Sequence, residues 1–124
     1  WERLGLKGKR PVLALRDTPL PRRGYRECLS KREPLEQCGQ SRKTASKHWK
    51  GELGKRGDPV RAAIERSRQA RYHYVDLTSS FCTADQCLPV VGNVLVYGDN
   101  HHITPTYARS LAPDLAQVVT KYLE

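Results

Sequence analysis

Residues 58–77 read DPVRAAIERSRQARYHYVDL and contain the signals for one helix followed by one strand. Asp58 is a favoured helix N-cap, and Pro59 suits the first helical position because an N–H there would have no partner within the helix. The helical spacing is carried by Val60, Ala63, Ile64, Ser67 and Ala70. We therefore predict a helix capped by Asp58 and a second strand over Tyr72–Leu77.

A first strand is predicted upstream, in the apolar run Pro11–Leu15. This run shows no alternation of apolar and polar residues, which is typical of a strand buried on both faces of a parallel sheet. The order strand, helix, strand predicts a right-handed parallel crossover and hence an α/β sheet. Residues Trp1–Leu6 are expected to be the end of a helix, with Gly8 just past its terminus.

Residues 18–57 separate the first strand from the predicted helix and are rich in Pro, Gly and charged residues. We expect a long basic loop region there, with one short helix around Ser41–Trp49. A connection of this length is usually functional or restrained. Cys28 and Cys38 lie inside it, and a disulfide between them would be the natural restraint.

The end of the chain is predicted to be helical, with Thr104 as the capping residue and Pro105 in the first position. One apolar stripe is formed by Ala108, Leu111, Ala112, Leu115, Val119, Tyr122 and Leu123. Pro113 lies within this stripe, where it removes one backbone hydrogen bond. We therefore expect the helix to be kinked or split in two.

Length and composition indicate one domain with a thin core. The chain has 124 residues, of which only 26 are Leu, Ile, Val or Phe. No apolar run approaches the roughly 18 residues that a membrane-spanning helix needs, and coiled-coil and collagen patterns are also excluded. The chain has no Met and begins at Trp1, and we expect it to be a piece of a longer protein.

Charge is divided unevenly along the chain. Residues 1–71 hold 20 of the 22 Lys and Arg residues and 8 of the 13 acidic ones. A segment with such an excess of basic residues can bind nucleic acid or another anionic polymer. Because no aromatic and basic motif of a nucleic-acid module accompanies the charge, a solvated, loop-rich half is favoured and nucleic acid is not expected as a partner.

Four cysteines allow three pairings, and their spacing favours local loops closed by Cys28 with Cys38 and by Cys82 with Cys87. Disulfides indicate an oxidising, extracytoplasmic compartment. The alternative is a zinc site of Cys82 and Cys87 with His101 or His102, because four intervening residues suit a pair of zinc ligands. No second tight ligand pair is present, so we expect no metal. We also expect no cofactor in this chain.

Residues 97–104, YGDNHHIT, hold the candidate chemistry. Asp99 and His102 are three residues apart, so the carboxylate can accept the imidazole Nδ1–H and leave Nε2 facing a nucleophile as a base. His101 competes for the role of base. The alternative interpretation is a polar turn without chemistry.

Several motifs together resemble the C-terminal part of SGNH (GDSL-type) domains, as fused to the membrane acyltransferase-three family of bacterial envelope O-acyltransferases. The residues that carry the resemblance are Val75–Thr78, Phe81, Cys82, Cys87, Val90–Tyr97, Asp99, His102–Thr104 and Tyr107–Pro113. A looser similarity extends to Pro11–Leu15, Asp17–Pro19 and Cys28. The resemblance implies a flavodoxin-like, three-layer αβα sandwich with a parallel sheet. Residues 1–124 would form the C-terminal part of it, incomplete at the N-terminal side.

The resemblance also implies a mechanism, in which a Ser attacks an acyl donor, His deprotonates the Ser and Asp orients the His. Asp99 and His102 match the last block of the family. The G-D-S block that holds the Ser, and the blocks that hold the oxyanion-binding Gly and Asn, have no match here. Ser79 and Ser80 are interpreted as capping groups of a loop. The chain alone is therefore expected to have little or no turnover.

The function implied is O-acetyl transfer to a cell-envelope carbohydrate, on the extracytoplasmic side of a bacterial membrane. Its partners would be the carbohydrate acceptor, the missing N-terminal part of the SGNH domain and a membrane acyltransferase domain that supplies acyl groups derived from acyl-CoA. One alternative is an SGNH esterase, in which water replaces the sugar. The other is a non-catalytic basic module that binds an anionic polymer.

Overall fold

The computed structural model describes residues 10–47 and 57–123. In chain order its elements are β1 (Val12–Leu15), α1 (Tyr25–Ser30), α2 (Leu35–Cys38), β2 (Gln40–Ser41), α3 (Arg42–Ala45), α4 (Pro59–Ser67), β3 (Tyr72–Val75), a 3₁₀ turn (Thr78–Ser80), β4 (Gln86–Cys87), β5 (Val90–Val91), β6 (Val94–Leu95), α5 (Pro105–Ser110) and α6 (Ala112–Leu123). The helix expected over Trp1–Leu6 lies outside the described residues. No helix in the described ranges is long and apolar enough to cross a membrane.

The predicted parallel pairing is confirmed, because β1 and β3 run in the same direction with Val12 opposite Tyr72 and Leu15 opposite Val75. The fold is thus a mixture of helices and strands around a small parallel sheet. We predicted that β1 is buried on both faces. This prediction is wrong for Leu15, whose exposed fraction is 47%. The physical reason is that the described sheet has two strands and covers only part of β1.

Helix α4 begins as predicted, since the Asp58 carboxylate accepts the backbone N–H of Val60 at 2.8 Å and Pro59 follows the cap. The helix ends at Ser67 because Arg68 adopts a left-handed conformation with φ 50°. Ala70, which was expected on the helical stripe, therefore lies beyond the helix.

Strand β3 ends at Val75, two residues earlier than predicted. The Asp76 carboxylate turns the chain there, because it accepts the backbone N–H of Thr78 at 2.9 Å and pairs with Arg16 at 2.8 Å. These contacts tie the residues that follow β1 to those that follow β3.

Residues 18–57 were expected to be mostly loop, and their described part contains three short helices and β2. A disulfide between Cys28 and Cys38 joins α1 to α2. The helix expected over Ser41–Trp49 is α3, which is capped by the Ser41 hydroxyl and ends at Ala45. Trp49 lies outside the described residues.

The core gathers aromatic side chains from both halves of the chain. Its buried cluster consists of Tyr25, Ala45, Phe81, Cys82, Cys87, Val96, Tyr97 and Tyr107. The Tyr25 hydroxyl donates to the backbone carbonyl of Tyr97 at 2.9 Å, and the Tyr107 hydroxyl donates to that of Ser80. These bonds attach α1 and α5 to the segment between β3 and the terminal helices.

The terminal helix is split as predicted, into α5 and α6 with a break at Leu111. Thr104 caps α5 by accepting the backbone N–H of Tyr107 at 3.1 Å, and Pro105 follows it. Pro113 has no N–H to donate to the carbonyl four residues earlier, so a continuous helix would lose that bond.

Gly39 lies where two segments of the chain approach each other closely. Strands β2 and β4 pair antiparallel, with Gln40 opposite Cys87. A Cβ added to Gly39 would lie 2.8 Å from the Cys87 carbonyl oxygen and 2.9 Å from a methyl group of Leu88. Only glycine therefore permits this packing without a shift of the backbone.

We predict that Gly39→Ala lowers the free energy of unfolding by about 1–3 kcal/mol, the range typical of an overpacked core site. The measurement is urea unfolding followed by circular dichroism. Gly98→Ala is the matched control, because a Cβ there meets nothing closer than 3.7 Å. Equal stability of the two variants would contradict the close packing at Gly39.

Candidate active site

The candidate residues lie on a tight loop that is closed by backbone hydrogen bonds. The Gly98 N–H donates to the His102 carbonyl and the Thr104 N–H donates to the Val96 carbonyl, both at 2.8 Å. Val96 and Tyr97 are buried in the core, so the loop starts from a fixed base. It ends at the cap of α5, where the Thr104 hydroxyl donates to the Leu95 carbonyl at 2.6 Å.

The Asp99 carboxylate organises this loop. Its Oδ1 accepts the backbone N–H groups of His101 and His102, each at 2.7 Å. Its Oδ2 lies 2.7 Å from Nδ1 of the His102 ring. One carboxylate thus bonds to both the backbone and the imidazole, and it sets the position of the ring relative to the loop.

The same contacts lower the pKa of Asp99 well below its usual range. The first cause is the backbone N–H of His101, followed by the His102 side chain and the His102 backbone N–H. Hydrogen bonds that favour the charged form of a carboxyl group lower its pKa. Asp99 is therefore a carboxylate at neutral pH, as an orienting residue requires.

This arrangement prepares the His102 ring to accept a proton. A carboxylate can only accept at Nδ1, so the neutral ring carries its proton there and Nε2 has a free lone pair. The side chain of His102 is 81% exposed, so Nε2 is open to a reacting group. An imidazole held in this way by a carboxylate is the base of serine triads.

The geometry also distinguishes the two adjacent histidines. His101 contributes its backbone N–H to Asp99, whereas the ring bonded to the carboxylate is that of His102. His102 is therefore the better candidate for the base, and His101 remains an exposed neighbour. His73, on β3, stacks on Tyr122 with the ring centres 3.9 Å apart and lies on a different element. His48 lies outside the described residues.

Ser79 and Ser80 belong to the 3₁₀ turn and have structural partners. Ser79 Oγ accepts a hydrogen bond from Arg42 at 3.2 Å. Ser80 Oγ donates to the Asp114 carboxylate at 2.6 Å. These contacts agree with the interpretation of both serines as groups that hold the turn.

The cysteines form the two pairs that their spacing favours, Cys28 with Cys38 and Cys82 with Cys87. The zinc alternative is wrong, because the sulfur atoms of Cys82 and Cys87 are bonded to each other and are not thiolates. Over residues 10–47 and 57–123, no three His, Cys, Asp or Glu side chains are grouped to hold a metal ion.

Sequence reasoning found the Asp99–His102 pair from its spacing but missed the two backbone donors to Asp99. Asp side chains commonly accept the N–H two residues further on, and this turn propensity is the signal that would have indicated them. It also missed that Tyr25, which is 72 residues from Tyr97, supports the start of the loop. No local pattern indicates that contact.

A histidine oriented by a carboxylate is one part of the catalytic triads found on several α/β folds. The family model described as SGNH domain (fused to AT3 domains) matches residues 2–117. The chain belongs to this family, which confirms the resemblance seen in the sequence. The family has esterase and acyltransferase activities, and its fusion to AT3 domains indicates a membrane protein. Searches of curated proteins and of solved structures gave no match to the chain.

We predict that the Asp99 carboxyl group titrates below the ordinary Asp value of about 3.9. Because the pKa is lowered in the folded state, ionised Asp99 stabilises the fold above the ordinary pKa, and this contribution is lost as the pH falls through the lowered value. The measurement is the carboxyl ¹³C chemical shift of Asp99 as a function of pH.

His102→Ala should raise the Asp99 midpoint only in part, since the backbone N–H groups of residues 101 and 102 remain. His101→Ala is the control and should leave the midpoint unchanged, because its contribution comes from the backbone. An unchanged midpoint in His102→Ala would contradict the side-chain hydrogen bond.

Proposed function

We propose that Asp99 and His102 are the orienting residue and the general base of an SGNH-type O-acyltransferase. The observation that carries the proposal is the Asp99 carboxylate bonded to Nδ1 of an exposed imidazole, with Nε2 left free. The chain contains no G-D-S motif. The serine nucleophile and the oxyanion-binding Gly and Asn are therefore proposed to lie in a portion of the protein outside residues 1–124.

The proposed reaction has two acyl transfers. His102 Nε2 takes the proton of the serine hydroxyl while Oγ attacks the acyl carbonyl, and the protonated ring then gives its proton to the leaving group. In the second transfer, His102 deprotonates a sugar hydroxyl, which attacks the carbonyl of the acyl-enzyme. The bond between the acyl group and serine Oγ then breaks, and the protonated ring returns its proton to Oγ. Asp99 remains ionised throughout and stabilises the imidazolium that forms in each step.

The proposed location is the extracytoplasmic side of a bacterial membrane. Two disulfides support it, because disulfides persist in oxidising compartments. The AT3 domain of the family would deliver acyl groups derived from acyl-CoA, and the acceptor would be an envelope carbohydrate. O-acetyl transfer is the proposed reaction.

The complete domain is proposed to be a three-layer αβα sandwich, of which this chain is the C-terminal part. The exposure of Leu15 supports this, since β1 has an apolar side chain that its pairing with β3 leaves partly open to solvent. Further strands beside β1 would cover it and would place the nucleophile near the carboxyl ends of the parallel strands. The isolated chain is proposed to be inactive for lack of that nucleophile.

We predict that His102→Ala in the full-length protein lowers acyl transfer by at least about a thousandfold, since removing the base of a serine triad has effects of this size or larger. The measurement is the transfer rate of a labelled acyl group, with circular dichroism as a check on folding. His101→Ala is the matched control and should retain activity. Unchanged activity in His102→Ala would contradict the role of His102 as the general base.

We predict that acyl groups are transferred to a carbohydrate acceptor faster than they are hydrolysed. The measurement compares ester formation with release of free acid by the full-length protein, with and without an envelope glycan. Asp99→Asn should lower both products together, because both use the same oriented imidazole. Release of free acid alone, at a rate independent of the glycan, would identify an esterase.

A further inference from the structure

Tyr97 and Ile103 lie opposite each other in the narrow antiparallel ribbon that closes the candidate loop. The hydrogen bonds of the ribbon flank this pair, and one of them joins the Gly98 N–H to the His102 carbonyl at 2.8 Å. Residues paired in this way direct their own N–H and C=O groups away from the partner strand. The Tyr97 carbonyl therefore points out of the ribbon and, being buried, requires a partner from elsewhere.

Tyr25 supplies that partner from a distant part of the chain. Its hydroxyl donates to the Tyr97 carbonyl at 2.9 Å and accepts the Nε–H of Arg26 at 3.1 Å. Tyr25 is 1% exposed, and its ring meets the Tyr97 ring edge-on with the ring centres 6.0 Å apart. Consecutive hydrogen bonds polarise one another, so a hydroxyl that accepts from a guanidinium is a stronger donor. Arg26 thus strengthens the bond that Tyr25 makes to Tyr97.

One peptide plane connects Tyr25 to the backbone of His102. The Tyr97 carbonyl and the Gly98 N–H belong to the same planar trans unit, so they point in opposite directions. Tyr25 holds the carbonyl end of this plane, and the His102 carbonyl holds the N–H end. Loss of the Tyr25 bond would free the plane to rotate and would weaken its bond to His102.

Helix α1, which begins at Tyr25, is held in place by contacts of its own. The Cys28–Cys38 disulfide joins it to α2, one turn after Tyr25. The Arg22 guanidinium, just before the helix, donates to the Gln37 carbonyl at 2.6 Å. The position of Tyr25 is therefore set by groups outside the candidate loop, and α1 can act as a support for that loop.

The contacts of Asp99 and of Tyr25 restrain different things. Those of Asp99 lie within the loop and set the ring of His102 relative to the loop backbone. A base must also lie at the correct distance from a nucleophile held by other segments, and a misplacement of about 1 Å can lower a rate about a hundredfold. Tyr25 restrains this second quantity, because it joins the loop to α1.

We propose that Tyr25 is a positioning residue, which places the His102 base at the distance that proton transfer requires. The proposal rests on the proposed function, because that function makes the placement of His102 matter for the rate. Tyr25 acts through the peptide between Tyr97 and Gly98 and through the His102 carbonyl. Helix α1 thereby contributes to the site, although the groups assigned to the chemistry lie on other segments.

The first test measures amide hydrogen exchange in the full-length protein by mass spectrometry with residue-level fragmentation. Tyr25→Phe keeps the ring and removes the hydroxyl, which leaves the Tyr97 carbonyl buried without this donor. We expect the Gly98 amide to exchange about tenfold faster, the size of effect that loss of one buried hydrogen bond has. The amides of Val12 and Arg16, at the two ends of the parallel strand pairing, should exchange at the wild-type rate.

Tyr107→Phe is the matched control. Tyr107 is also a buried tyrosine whose hydroxyl donates to a backbone carbonyl, but that carbonyl belongs to Ser80, outside the loop. This variant loses a bond of the same kind and should leave the exchange of Gly98 unchanged.

Arg26→Met weakens the same Tyr25 hydrogen bond without a change in the core. Arg26 is exposed, and its Nε–H is the donor to the Tyr25 hydroxyl. We expect faster exchange of the Gly98 amide than in the wild type, and slower exchange than in Tyr25→Phe. This variant also tests the proposal if Tyr25→Phe does not fold.

The second test measures transfer of a labelled acyl group by the same full-length proteins. We expect Tyr25→Phe to lower kcat by at least about tenfold and to leave KM unchanged, because a misplaced base slows proton transfer without removing a contact to substrate. Tyr107→Phe should keep the wild-type kcat for each folded molecule. A role of Tyr25 in stability alone would lower the amount of folded protein and would leave this kcat unchanged.

Faster exchange at Gly98 together with a lower kcat in Tyr25→Phe supports the proposal. Exchange at Gly98 that is unchanged in both Tyr25→Phe and Arg26→Met overturns it. An unchanged kcat in folded Tyr25→Phe also overturns it, as does exchange that rises equally at Gly98 and Val12. Failure of the proposed function is a different result, namely full activity of His102→Ala. Because exchange does not depend on activity, it decides in either case whether Tyr25 holds the loop.

Discussion

The Asp99 carboxylate is the interaction on which the candidate site depends. It accepts two backbone N–H groups and the Nδ1–H of His102, each at 2.7 Å. Three donors on one carboxylate hold it ionised and fix the orientation of the imidazole, and all three belong to the same loop. Loop geometry and chemistry therefore arise from the same hydrogen bonds, and a change at Asp99 would disturb both.

The rest of the molecule holds this loop at the carboxyl edge of the sheet. Val96 and Tyr97 anchor its start in an aromatic core, and Tyr25 donates a hydrogen bond to Tyr97 from the other half of the chain. Two disulfides secure the short helices and the turn that surround that core. This chain has few large aliphatic residues, so disulfides and buried tyrosines stabilise the fold where other proteins rely on a larger apolar core.

The proposed site divides into a polar and an apolar side. The side chain of His102 is 81% exposed to solvent, whereas Ile103, the next residue, lines an apolar cleft with Leu111 and Leu115.

Contacts between residues that are close in the chain could be predicted from the sequence. The caps at Asp58 and Thr104, the split before Pro113 and the Asp99–His102 pair each depend on residues within four positions of one another, so spacing was sufficient to predict them. Contacts between distant segments were decided by the tertiary structure alone. The Arg16–Asp76 ion pair joins residues 60 positions apart and ends β3 early, and the Tyr25–Tyr97 bond spans 72 positions. The apolar cleft beside Ile103 belongs to this second group, because its walls come from three separate segments that only packing brings together.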